Sequence, residues 1–134
     1  MTLLQLHLMA VGFWLGAVAT ETALEFSARD AASRRAVALA HAKIDQWVEI
    51  PIVIAMVATG ALLLARVWPG TPLLWVKVGA GLLAVTANVV CIPLVRARVA
   101  EPDEARQRAL TRQIKGTLWG VPFAVAALVI GLGF

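Results

Sequence analysis

Four long apolar stretches, separated by short connections, constrain this chain more than any other feature of its sequence. They run over residues 3–24, 42–65, 72–95 and 116–134. Each is close to the ~20 apolar residues that a helix needs to cross the hydrocarbon core of a bilayer. Because Met1 to His7 carries no Lys or Arg, we read the first stretch as a retained span rather than a signal peptide. The sequence therefore predicts an all-α integral membrane protein, an antiparallel four-helix bundle forming a single domain over residues 1–134.

Composition excludes several other classes of protein. Hydrophobic residues make up 60% of the chain and charged residues 15%, whereas a soluble domain is about 45–50% apolar and about 25% charged. A chain of this size cannot bury so much apolar surface in one soluble core, and it is too apolar to be disordered. Cys91 is the single cysteine, so an intrachain disulfide scaffold is excluded too.

The distribution of basic residues predicts the orientation of the spans. Ten of the 12 basic residues flank the first and third connections, and only Arg66 and Lys77 lie toward the other side. The positive-inside rule places both connections in the cytoplasm, and therefore both termini and the Trp68-Pro69-Gly70 turn outside. We expect a multi-pass protein of a bacterial inner membrane. Because the basic charge sits where it sets topology and meets anionic lipid headgroups, we expect the lipid bilayer as a partner and no nucleic acid.

Acidic residues and a histidine recur at helical spacing where spans one and two adjoin. Glu21 and Glu25 are four residues apart near the end of span one, and His41, Asp45 and Glu49 follow each other at four-residue intervals in span two. Residues four apart share a helix face. Antiparallel neighbours would therefore present four carboxylates and one imidazole at a similar depth.

Such a cluster needs compensation, because each charged side chain near a span centre costs about 2.5–3.5 kcal/mol. Three interpretations stay open. Protons can neutralise some of the carboxylates, as in a proton relay or a substrate-contacting site. Basic side chains can form a structural salt-bridge network, with Lys43, Arg96, Arg112 and Lys115 as candidates. A bound cation can gather the carboxylates.

The third interpretation is our leading hypothesis. Carboxylate and imidazole ligands suit Zn, Mn or ferrous iron, and bundle proteins build metal sites from Asp, Glu and His on facing helices. We predict Glu21, Asp45 and Glu49 as core ligands of a divalent transition metal, with His41 and Glu25 closing the site. The function would then be metal handling or metal-dependent redox chemistry.

A second polar pair lies toward the outer ends of the spans. His7 and Lys77 are each a short way inside their span. Either they are interfacial, with Lys77 extending its ammonium group outward, or they line an outer pocket together with Trp14 and Trp75.

Several short motifs occur in an order that resembles a known family of membrane proteins. The motifs are Leu6-His7-Leu8 and Gly12-Phe13-Trp14-Leu15-Gly16 in span one, Pro51 and Gly60 in span two, Trp75-Val76-Lys77 in span three, and Val121-Pro122 in span four. Together they resemble the small four-helix membrane proteins grouped around the J-type bacterial protoporphyrinogen oxidase and the copper-resistance D proteins. The resemblance implies an inner-membrane bundle. It also implies that His7 matches a candidate haem ligand and Lys77 the third-span lysine.

This chain departs from the oxidase at one position that bears on its chemistry. Asn88 stands where the oxidase has its second histidine, eleven residues after the lysine, and an asparagine is a poor ligand for haem iron. The acidic cluster is not part of the oxidase pattern either. The resemblance therefore implies a divergent member. A haem- or porphyrin-linked oxidoreductase using His7 and Lys77 is the alternative function, and a structural or assembly subunit is the third.

Small residues predict where helices approach each other closely. Gly12 and Gly16 in span one, and Gly116 and Gly120 in span four, form small-xxx-small pairs. We favour packing within the chain, with an oligomer seam as the alternative. Since four helices alone enclose only a thin pathway, we expect a homo-oligomer if the protein transports anything.

The predicted orientation can be tested with reporter fusions at Arg35 and Arg106. Ten basic residues should hold both connections in the cytoplasm, so both fusions should give a cytoplasmic signal. A periplasmic signal at either position would contradict the assignment.

Overall fold

The computed structural model contains four long helices. They are α1 (Leu3–Ser27), α2 (Ala31–Arg66), α3 (Pro72–Ala100) and α4 (Glu104–Gly133). Each is long and apolar enough to cross a membrane, and no strand occurs within residues 1–133, which the structure describes. The all-helical class is confirmed. Phe134, the last residue of the predicted fourth span, lies outside the described residues.

Two helices begin well before the apolar stretches that predicted them. α2 begins at Ala31 because Asp30 accepts a hydrogen bond from the Ser33 amide (2.8 Å), while the Ser33 hydroxyl accepts from the Asp30 amide (3.1 Å). This reciprocal cap satisfies free amides at the helix start. The Ser33 amide also holds the pKa of Asp30 below its usual value. α4 begins at a one-way cap, in which Asp103 accepts a hydrogen bond from the Arg106 amide. Much of both charged connections is therefore helical.

The four helices form two close pairs. α1 packs along α2, and α3 packs along α4. The two pairs meet where the first part of α2 contacts α3, whereas α1 touches α4 mainly at residues 104–116. Contacts between α1 and α2 join the start of one helix to the end of the other, as the His7–Thr59 and Glu25–His41 hydrogen bonds show.

The interior is small and unusually polar. Its apolar cluster consists of Trp14, Val53, Met56, Ala84 and Ala124, contributed by all four helices. Among the described residues, eleven apolar side chains are buried beside eight polar or charged ones. Large apolar side chains instead cover the outer faces of the helices. This is the reverse of the soluble pattern.

Only one of the predicted close-approach glycines lies against another helix of this chain. A Cβ atom added to Gly120 would lie 2.5 Å from the Ala87 Cβ on α3, which is closer than two carbon atoms can approach. A Cβ added to Gly12, Gly16 or Gly116 would meet nothing within 4 Å. Close helix packing within the chain therefore accounts for the glycine at position 120. The prediction of such packing is wrong for Gly12, Gly16 and Gly116.

Gly120→Ala should destabilise the fold, because the methyl group would push α4 away from α3. A core overpacked in this way loses about 1–3 kcal/mol. Gly116→Ala is the matched control: the added methyl group meets no atom, and Ala is the better helix former. Thermal unfolding in detergent should give a lower Tm for Gly120→Ala alone. Equal melting temperatures for the two variants would contradict this packing.

Candidate metal centre

The five residues of the predicted acidic cluster lie together inside the bundle. We call Glu21, Glu25, His41, Asp45 and Glu49 the inner cluster. Their exposed fractions are 6%, 5%, 3%, 4% and 1%, respectively. α1 contributes the first two residues and α2 the other three, so the cluster bridges the interface between these helices. Glu49 and Val95 are the largest fully buried side chains among residues 1–133.

A local change in helix geometry aligns the three α2 residues of the inner cluster. In a regular α-helix each four-residue step turns about 40° too far, so Glu49 would drift about 80° from His41. Here residues 45–49 form a π-helical turn, and the Ile50 amide donates to the Asp45 carbonyl five residues back. Because a π-helical turn is wider, each of its residues rotates less about the helix axis, and this offsets the drift. As a result Asp45 and Glu49 both point inward.

The orientation of the His41 ring is fixed by Glu25. The His41 Nδ1 atom lies 2.5 Å from Glu25 Oε1. Glu25 also accepts from Arg98, so it is an acceptor, and His41 Nδ1 must carry the proton. In the neutral ring, the lone pair is on the other nitrogen, Nε2. It faces Glu21 Oε2 at 3.6 Å and Asp45 Oδ1 at 3.9 Å.

Arg98 on α3 is the basic partner of the inner cluster. Its two terminal nitrogens donate to the two carboxylate oxygens of Glu25, at 2.8 and 2.6 Å. The guanidinium group is itself buried, at 4% exposure. None of the predicted partners Lys43, Arg96, Arg112 and Lys115 forms an ion pair with the inner cluster among the residues described. In the sequence, Arg98 is one of the ten basic residues that predict the topology, with no signal of its own for a partner.

A sequence signal for the inward direction of Arg98 did exist. The buried positions of α3 are separated by three, four or seven residues along the chain, counting Ala87 and Asn88 each from Ala84, and this is the spacing of one helix face. These positions are Ala84, Ala87, Asn88, Val95 and Arg98. The apolar face of span three, extended by one step beyond Val95, would have turned Arg98 inward.

Glu49 accepts hydrogen bonds from two side chains for which the sequence predicted other roles. Trp14 Nε1 donates to Glu49 Oε1 at 3.0 Å, and Asn88 Nδ2 donates to the same oxygen. The prediction that Trp14 lines an outer pocket is therefore wrong, since its indole points to the inner cluster. Asn88 stands where the oxidase has its second histidine, and in this chain it is a hydrogen-bond donor to Glu49.

Several buried polar atoms of the site have no partner. Glu21 Oε1, Asp45 Oδ2 and Asn88 Oδ1 accept no hydrogen bond in the structure. Such atoms cost about 1–3 kcal/mol each, and more when charged. A cavity of about 60 Å³ lies beside the cluster and is lined in part by Glu21, His41 and Asn88, but not by Asp45. Since about 10–15 Å³ of such space holds one water molecule, the cavity admits an ion with some of its water.

The charge balance of the site is unequal. Arg98 compensates Glu25, but no Lys or Arg in the described part of the chain pairs with Glu21, Asp45 or Glu49. Buried carboxylates that adjoin each other need a proton or a cation to be stable. The inner cluster can therefore take up a positive charge, either as a proton, for example on His41 between Glu21 and Asp45, or as a bound cation.

Three residues of the inner cluster lie close enough together to hold a metal ion. Glu21, His41 and Asp45 each offer one ligand atom, and these atoms all lie within 4.8 Å of one another. Ligands about 2.1 Å from a tetrahedral metal ion are about 3.4 Å apart. The 3.6 and 3.9 Å separations between His41 Nε2 and its two carboxylates exceed this by half an ångström or less. The three residues could hold a metal ion.

The outer polar pair adopts a different arrangement. His7 Nδ1 donates to Thr59 Oγ1 at 2.9 Å, because the Thr59 hydroxyl proton is already given to the Ala55 carbonyl. The Lys77 side chain lies against Gly131, where an added Cβ would come within 2.8 Å of its Nζ atom. A haem role for His7 stays a prediction, with Nε2 as the nitrogen that carries the lone pair.

Trp75 contacts the turn between α2 and α3. It packs edge-to-face on Trp68, with ring centroids 5.5 Å apart, and it donates to the Pro69 carbonyl at 2.9 Å. It therefore stabilises the turn between α2 and α3.

Comparison of the chain with protein-family models, with curated proteins and with solved structures gives no match. The resemblance to the oxidase and copper-resistance proteins stays a prediction.

Removing Arg98 should destabilise the protein strongly. Arg98→Met leaves Glu25 as a buried charge without its partner, which typically costs about 3–5 kcal/mol. Adding Glu25→Gln should recover part of the loss. Arg96→Met removes the same charge from the exposed side of the same helix and should change stability by less than about 1 kcal/mol. Denaturation of the variants in detergent measures this, and equal effects for the two arginines would overturn the assignment.

Proposed function

We propose that this chain is a small membrane protein of four antiparallel spans that binds a divalent transition metal at Glu21, His41 and Asp45. The metal would serve metal handling or metal-dependent redox chemistry. Zn, Mn and ferrous iron fit this donor set of one imidazole and two carboxylates better than copper(I), which prefers sulfur.

The orientation of His41 is the observation that carries the proposal. A metal-binding histidine typically donates its second ring N–H to a carboxylate, which fixes the ring and strengthens the ligand. Glu25 accepts that bond, and Arg98 in turn holds Glu25. In its neutral form the ring would thus present its lone pair toward two carboxylates that have unpartnered oxygens.

This geometry divides the five predicted ligands into three roles. Glu21, His41 and Asp45 would bind the metal directly. Glu25 would orient His41 instead of closing the site. Glu49 adjoins Glu21 and Asp45, but Trp14 and Asn88 already donate to one of its oxygens. We assign it to charge balance next to the metal.

The cavity beside the cluster supplies an open position. Structural zinc sites are closed by four protein ligands, whereas reactive or exchanging sites keep a position for water or substrate. With three protein ligands and an adjoining cavity, the site belongs to the second kind. This supports metal exchange or chemistry at the metal over a purely structural ion.

The placement in a membrane rests on the length and outer surface of the helices. All four helices reach the span length, and side chains such as Phe13, Ile54 and Val129 are more than 60% exposed. Lipid tails are the surroundings in which such a surface is stable. Together with the basic connections, this supports a bacterial inner membrane with the inner cluster nearer the cytoplasmic side.

Zn²⁺ or Mn²⁺ added to metal-free protein in detergent should raise its Tm. A ligand at a hundred times its Kd stabilises the native state by about 2.7 kcal/mol. Asp45→Asn should remove most of the rise, because it keeps the shape and deletes the charge. Glu49→Gln should remove less. The metal affinity should fall as pH falls, because protons compete for the same ligand atoms.

Two controls sharpen this experiment. Mg²⁺ should give no comparable rise, because it prefers an all-oxygen shell and keeps its waters. Glu101→Gln, outside the inner cluster, should leave the Zn²⁺ effect unchanged. If neither Zn²⁺ nor Mn²⁺ shifts the Tm and the purified protein carries no metal, the inner cluster is a structural polar network.

A further inference from the structure

A second cavity lies where the charged ends of all four helices converge. It has a volume of about 50 Å³, and its polar lining comes from each helix in turn: Glu25 on α1, Arg34 on α2, Arg98 on α3, and Thr111 with Lys115 on α4. We call it the basic cavity. Its lining contains three cationic side chains and one carboxylate, so its chemistry is opposite to that of the inner cluster.

The charges around the basic cavity leave a positive excess. Arg34 pairs with Glu104 at 2.8 Å, and Arg98 pairs with Glu25. Lys115 has no carboxylate partner among residues 1–133, and its ammonium group lies 4.5 Å from the centre of the Phe26 ring. One full positive charge on the lining is therefore uncompensated.

Arg98, which lines the basic cavity, also has an unused hydrogen-bond donor. Arg98 Nη1 donates to Thr111 Oγ1 at 3.2 Å as well as to Glu25, yet Arg98 Nε is buried without an acceptor. Arg98 as a whole is 96% buried, given its 4% exposure. A buried charged donor without a partner is costly, so Arg98 has donor capacity that its contacts with Glu25 and Thr111 leave unsatisfied.

We propose that the basic cavity binds a phosphate group. Its volume exceeds the roughly 10–15 Å³ that one water-sized atom requires, so it admits more than one phosphate oxygen. Arginine and lysine are the usual partners of phosphate, through charge-assisted hydrogen bonds. The group is either the phosphodiester of an anionic lipid or free inorganic phosphate. The lipid source rests on the proposed membrane location, and neither source depends on a bound metal.

Binding can be measured on the full chain in dodecyl maltoside micelles without added metal. The probes are phosphatidylglycerol, phosphatidylcholine, and sodium phosphate against sodium chloride at equal ionic strength. Phosphatidylglycerol or inorganic phosphate should raise the Tm in a saturable way. Saturation by the lipid alone identifies a headgroup site, and saturation by inorganic phosphate identifies a free-phosphate site. Absence of a saturable effect from both overturns the proposal.

Matched variants separate the basic cavity from general surface charge. Lys115→Gln should weaken the apparent affinity roughly three- to tenfold through loss of one charge-assisted contact. It is the primary variant because it breaks no ion pair, and Arg34→Gln is the second. Arg112→Gln and Arg35→Gln remove the same charge from exposed neighbouring positions on the same helices and should change affinity less than twofold. Equal losses in all four variants would overturn the site.

Discussion

The cost of burying charge in a narrow helical bundle governs this structure. The inner cluster places four carboxylates inside a bundle whose apolar core is small. Nothing in the apolar packing requires them, and each ionised group is expensive where water is scarce. The polar interior is therefore stable only through specific partners, and these come from α1 (Trp14) and α3 (Asn88 and Arg98).

A continuous series of contacts links α3 to the centre of the inner cluster. Arg98 holds both oxygens of Glu25, Glu25 fixes the His41 ring, and His41 faces Glu21 and Asp45. The same arginine borders the basic cavity. The position of α3 is thus coupled to the geometry of the candidate metal site. A ligand bound at either site would therefore stabilise the position of Arg98, on which the other site also depends.

Much of this architecture could be predicted from local sequence patterns. Hydropathy located the four helices, because each stretch has the length of a span. The four-residue spacing of His41, Asp45 and Glu49 predicted a shared face, and the neighbouring placement of Glu21 and Glu25 follows from a short connection between α1 and α2. The added turns at the start of α2 were missed, because a capped polar helix has no hydropathy signal.

The partners of the inner cluster were harder to predict, for a physical reason. Among ten basic residues near the connections, the inward direction of Arg98 depends on the rotation of α3 about its own axis. Trp14 and Asn88 reach Glu49 from two different helices, so their roles depend on packing that no single span specifies. The π-helical turn at residues 45–49 also needs the folded context, although Pro51 just beyond it marks a break in regular bonding.

X-ray absorption at the zinc K-edge of the Zn²⁺-loaded protein tests the central claim most directly. Ligation by Glu21, His41 and Asp45 predicts a shell of nitrogen and oxygen at about 2.0–2.2 Å, with the outer-shell scattering of a single imidazole that His41→Ala abolishes. A shell without imidazole, or a sulfur neighbour at about 2.3 Å, would contradict the proposed site.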